Sequence, residues 1–146
     1  ILADALHFSA RFNPDIVIDF ASLTGACVVA LGHEAAGMMG NDKDLTDELH
    51  KLGEQVGERV WPMPLYDEYL SYLKSEWADI KNVGGRWGGA VTAGTFLKQW
   101  VPEKVSWAHL DIAGVGYNEK EHNGLPKGAS GFGVVLIATF LENLLK

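Results

Sequence analysis

DIVIDFASLTGA, residues Asp15 to Ala26, carries an apolar strand straight into a turn of small and hydroxyl-bearing residues. Ile16, Val17, Ile18 and Phe20 form a β-branched and aromatic run of the kind found in strands covered on both faces of a parallel or mixed sheet. Ser22, Leu23, Thr24 and Gly25 then leave nearly bare backbone at the strand's C-terminal edge, where open α/β sheets hold their ligands. WAHLDIAGVG, Trp107 to Gly116, repeats the pattern: Trp107 to Ile112 read as a strand, and Ala113, Gly114 and Gly116 follow. Two such edges can line one pocket. The same residue types also suit tight-packing strand ends with no ligand between them, and the pattern leaves both uses open.

Outward from these strands, Leu2, Ala5, Leu6 and Phe12 recur at near-helical spacing, so residues 1 to 12 read as a helix ended by Asn13-Pro14. Cys27 to Leu31 and Ala35 to Met39 are short apolar runs punctuated by Gly32, Gly37 and Gly40. Leu45, Leu49, Leu52 and Val56 fall on one face of a helix from Leu45 to Gly57, with Asp44 as its expected N-cap. Trp61-Pro-Met-Pro reads as an extended connector, and Tyr66 to Ser75 as helix again. Gly84 to Gly89 is glycine-rich, Ala90 to Trp100 reads as a helix of small residues, and Tyr117 to Lys127 as an exposed polar loop. A last helix, about Gly131 to Leu145, is nearly all apolar through Phe140 and is expected to be buried, with Ser130 as its N-cap.

A chain of 146 residues suits one domain, burying about 70% of its unfolded surface. With 47% hydrophobic and 21% charged residues it has a globular composition, and its net charge of −7 lacks the clustered basic face of a nucleic-acid binder. Cys27 is the only cysteine, which excludes an internal disulfide and fits a reducing, cytoplasmic setting. No apolar run approaches the roughly 18 residues of a membrane span. The chain lacks an initiator Met and opens inside an apparent helix, so it reads as part of a longer polypeptide.

The polar residues that interrupt these patterns are the candidates for chemistry. His7, His33, His50, His109 and His122 are scattered, without HExxH or CxxC spacing. His109 lies within an apolar strand, as a hydrogen-bonded core imidazole or a ligand. Asp19 and Asp111 also sit in strands, where a carboxylate must be paired, hydrogen-bonded or metal-bound, and capping the following turn is the simplest such use. Gly128-Ala129-Ser130-Gly131 fails the G-x-S-x-G elbow at Phe132. The glycines at 84, 85, 88 and 89 match neither phosphate-binding loop, and a loop beside a cleft is their simpler use.

Five blocks in order, LADAL, VIDFASLTGA, NVGGRWGGAVTAGTFLKQW, WAHLDIAGVG and GASGFGV, resemble the C-terminal part of the catalytic domain of the leucyl aminopeptidase family, dinuclear-metal peptidases of the cytosol. The similarity runs from Ile1 to about Leu145. It implies an α/β fold with a mixed, largely parallel central sheet flanked by helices, spanning residues 1–146. It also implies a peptide substrate, two divalent ions (Zn or Mn), and a homo-hexamer in the full-length form. In that family the octapeptide NTDAEGRL precedes the segment matching Ile1 to Leu6 and supplies metal carboxylates and a catalytic arginine. The resemblance therefore places no metal ligand and no catalytic residue in this chain, and predicts that the segment alone is inactive. It assigns substrate contacts instead: the backbone of Leu23, pocket walls at Ser22 and Gly25, an opposite wall at Ala113 and Gly116, and a neighbouring subsite at Val83. Gly116 then predicts a roomy pocket. The rival reading is a non-catalytic α/β module for binding or oligomer assembly.

Overall fold

The computed structural model describes residues 1–122 and 124–145; Asn123, inside the expected polar loop, and Lys146 lie outside the described residues. Strands β1 (Ile16–Ala21), β2 (Ala36–Gly40), β3 (Val60–Pro62) and β4 (Ser106–Asp111) form one sheet in the order β1-β4-β2-β3. β1 runs parallel to β4 and β2 parallel to β3, while β2 and β4 are antiparallel, so the sheet is mixed and largely parallel as expected. The alternation of side chains along each strand sorts two cores. Ile16, Ile18, Phe20, Ala108 and Leu110 pack against α3 (Lys43–Val56) and α5 (Val134–Leu144) on one face. Val17 and Trp107 pack on the other face against Leu6 of α1 (Leu2–Ser9) and Leu97 of α4 (Gly89–Lys98).

The parallel register sets Asp19 opposite His109 and Ala21 opposite Asp111, so both strands finish side by side. Helix α2 (Gly25–Leu31) starts at once after β1, because the Thr24 side chain accepts the Cys27 N–H and caps it. The run Cys27 to Leu31 is thus helical.

Several expectations change once tertiary contacts are seen. β1 is covered on both faces, as expected, with Ile16, Ile18 and Phe20 packed on one side and Val17 on the other, but it pairs with β4 alone among the described strands and is half-buried along its length because it lies at the sheet's edge. Helix α3 is capped by Asp42, two residues before the expected Asp44. The Asp42 carboxylate accepts the Asp44 and Leu45 N–H groups at 2.9 and 3.3 Å, and the Ser106 hydroxyl at 2.5 Å anchors it to β4. Tyr66 to Ser75 is a 3-10 helix over Asp67–Leu73, and the connector after Arg59 pairs as β3.

The largest departure is α5. Only Leu136 and Phe140 are buried, whereas Val134, Val135 and Leu141 are 69%, 52% and 52% exposed. A helix in an outer layer has one face toward the sheet, so even an apolar sequence leaves its far side open. Ser130 does not cap this helix: its hydroxyl donates to the Val115 carbonyl at 2.6 Å and accepts the Phe132 N–H. Gly133, at φ +96°, caps instead, with its missing side chain making room for the Phe20 ring. Tyr117–Asn118 (β5) and Gly128–Ala129 (β6) close the intervening loop as a short antiparallel ribbon.

Candidate functional site

Past the end of the β1/β4 ladder the two segments are joined through the Asp111 side chain. Asp111 is fully buried. Its Oδ1 accepts the N–H groups of Leu23 at 3.0 Å, Thr24 at 3.4 Å and Ala113 at 3.2 Å, and its Oδ2 accepts the Thr24 hydroxyl at 2.7 Å. Asp111 therefore caps its own turn, as expected, and also clamps the turn after β1. Capping is not the role of Asp19, which accepts Nδ1–H of His109 at 2.5 Å and Nε1–H of Trp107 at 2.7 Å. His109 is thus a buried, hydrogen-bonded imidazole, with Nε2 lacking a partner among the described residues.

Cys27 packs beneath the same corner, its Sγ 3.6 Å from the Asp111 carbonyl. Burial, and then the nearby Asp111 carboxylate, push its thiol pKa up from 9.0 against the weaker pull of the Gly37 backbone. A thiol so placed is a core group and no nucleophile.

Leu23 and Val83 meet across a cleft of about 240 Å³, which Asn82, Gly84, Thr92 and Ala93 also line. A neighbouring groove of about 370 Å³ shares Leu23, Asn82 and Ala93 and runs toward Leu2 and Trp100. The close approach of Gly84 to Thr92 leaves no room for a side chain at 84. Ser22 and Gly25 flank Leu23 as exposed residues, and Ala113 is half-buried beside it through the shared Asp111 oxygen. Gly116 does not line either groove: an added Cβ there would stand 3.1 Å from Ile112, and its carbonyl accepts the Ser130 N–H at 3.2 Å. The structure thus brings Ser22, Leu23, Gly25 and Ala113 to one corner with Val83 on the same cleft as Leu23, and leaves Gly116 outside both grooves. Asn82, Thr92 and Ala93 were not singled out from sequence. Their only signal was their place just before and just after a glycine-rich loop.

No described helix is long and apolar enough to cross a membrane. Compared with known proteins, residues 1–138 match the cytosol aminopeptidase family, catalytic domain. The chain is 56% identical over 142 residues to a probable cytosol aminopeptidase of Geobacter sp. (strain M21), covering 97% of this chain and 29% of that protein. A probable cytosol aminopeptidase of Nitrosomonas eutropha is 52% identical over 141 residues, covering 97% and 27%. A solved tomato leucine aminopeptidase mutant superposes with a TM-score of 0.90 at 40% identity, again covering 97% of this chain and 27% of that one. The chain spans less than a third of the length of these relatives. It belongs to the cytosol aminopeptidase family, within the catalytic domain.

Proposed function

We propose that the chain is the C-terminal, substrate-holding part of the catalytic domain of a cytoplasmic, metal-dependent leucyl-type aminopeptidase, which removes N-terminal residues from peptides. The observation that carries this reading is the corner where Leu23 and Ala113 are tied to one Asp111 oxygen, with Val83 facing Leu23 across a cleft. In this reading Leu23 binds peptide backbone, Ser22, Gly25 and Ala113 surround the first side chain, and Val83 touches the next residue, while Gly116, turned toward Ile112, stays out of the wall. Small residues at such a corner leave area for an apolar side chain, whose burial is worth about 25 cal/mol per Å².

Two divalent ions, Zn or Mn, would activate water and polarise the scissile carbonyl in such an enzyme. The donors of this segment do not fit that centre. Among the described residues no three His, Cys, Asp or Glu side chains gather to hold a metal ion, and the oxygens of Asp19 and Asp111 are taken by protein donors. The ions then belong to polypeptide of the kind that makes up the rest of the relatives' length, and the complete protein assembles as a homo-hexamer.

The test is release of leucine from leucyl peptides in the presence of Zn²⁺ or Mn²⁺. The complete protein carrying this segment is expected to turn over and the isolated 146 residues are not. Metal-dependent turnover by the isolated segment would place the reactive centre within it and defeat this reading. The rival, a non-catalytic module, requires that the complete protein be inactive as well.

A further inference from the structure

We infer that Asp111 is a positioning residue for peptide binding, its carboxylate holding the two strand ends at the separation the ligand needs. The inference rests on the aminopeptidase reading above. Backbone bonds between β1 and β4 stop at Ile112 N–H to Ala21 C=O, 2.9 Å; beyond it, among the described residues, no backbone bond joins 22–24 to 113–116. The carboxylate takes over at that point. It collects three N–H groups and one hydroxyl from both sides, and it is shut off from solvent. In the intact fold these donors therefore bond to the carboxylate and not to bulk water.

The clamp extends into α2, since the Thr24 hydroxyl that donates to Asp111 also accepts the Cys27 N–H. One carboxylate thus fixes the end of β1, the turn after β4 and the start of a helix. It also commits the Leu23 N–H, so a ligand at Leu23 meets the carbonyl, an acceptor. Asp111 itself touches no ligand; it acts through Leu23 and Ala113.

The experiment compares wild type, Asp111→Ala and Asp111→Asn in the complete metal-loaded protein, using a leucyl dipeptide. Asparagine keeps an oxygen for the N–H donors, and its amide can donate to the Thr24 hydroxyl, so it serves as the rescuing variant. Asp111→Ala is expected to raise KM about tenfold or more with kcat within about threefold, and Asp111→Asn to keep KM within about threefold of wild type. A bestatin-like inhibitor should weaken in step with KM. If Asp111→Ala does not fold, Thr24→Val carries the test, with a smaller rise in KM expected because one of the four bonds to Asp111 is lost, together with the Cys27 cap.

An unchanged KM in folded Asp111→Ala overturns the inference, as does an equal fall in kcat and kcat/KM or an asparagine variant as damaged as alanine. Lack of turnover by wild type itself defeats the aminopeptidase reading and takes the inference with it, a result distinct from an active enzyme indifferent to position 111.

Discussion

Gly114 shows how a small residue after a strand serves close packing. A side chain there would run into the Gly32 carbonyl, where the turn after β4 meets the end of α2, and His33 Nδ1 lies 2.7 Å from the Gly114 carbonyl. With backbone on both sides, nothing can move aside as a flexible side chain would. Gly114→Ala is expected to destabilise the protein by about 3 kcal/mol, read from denaturant unfolding at unchanged slope. A loss under about 0.5 kcal/mol would mean that this contact is looser than drawn. Sequence marked Ala113, Gly114 and Gly116 alike as small. That Gly114 admits helix backbone, Ala113 joins the clamp and Gly116 backs onto Ile112 depends on partners far along the chain.

At the scale of elements, α3 and α5 make separable predictions. The Ser106 hydroxyl, followed by the Leu45 N–H, holds the Asp42 carboxyl below its ordinary 3.8, and desolvation only partly opposes them. A lowered pKa in the fold means that the cap stabilises fully above the ordinary value and loses its effect as pH falls through the folded one. Wild type should therefore melt above Asp42→Ala at neutral pH, with the gap closing below pH 3.8 in thermal scans followed by circular dichroism. A gap independent of pH would assign the cap to packing alone. In α5, adjacent large residues differ in exposure: Phe140 is buried and Leu141 is 52% exposed. Phe140→Ala should cost about 3–5 kcal/mol and Leu141→Ala under about 1 kcal/mol by denaturant unfolding. Equal costs would mean that the outer face of the helix is covered.

For the molecule as a whole, the four-stranded sheet ends in β1, whose outer edge has no partner among the described residues. Exposed Val134, Val135 and Leu141 of α5 and exposed Phe8 and Phe12 add apolar surface. Unpaired strand groups and exposed apolar area both favour association. The net charge of −7 opposes it only weakly, because salt screens exposed charges within about 8–10 Å. The isolated 146 residues are expected to self-associate as concentration rises in sedimentation velocity. A single monomeric boundary at high concentration would show that the open edge is protected.

What sequence determined by itself was local: where apolar runs of period two or 3.6 begin, which turns are built of glycine, and so the order of strands and helices. The family resemblance supplied the fold class and the candidate residues around Leu23. What tertiary structure decided is every pairing across long stretches of chain. Asp111 reaches Leu23 across 88 residues and Ser106 reaches Asp42 across 64, while α5 is half open because the sheet covers one side of it. The reason is physical: propensity and periodicity act among near neighbours, whereas a buried carboxylate's partners are fixed only when separate strands pack together.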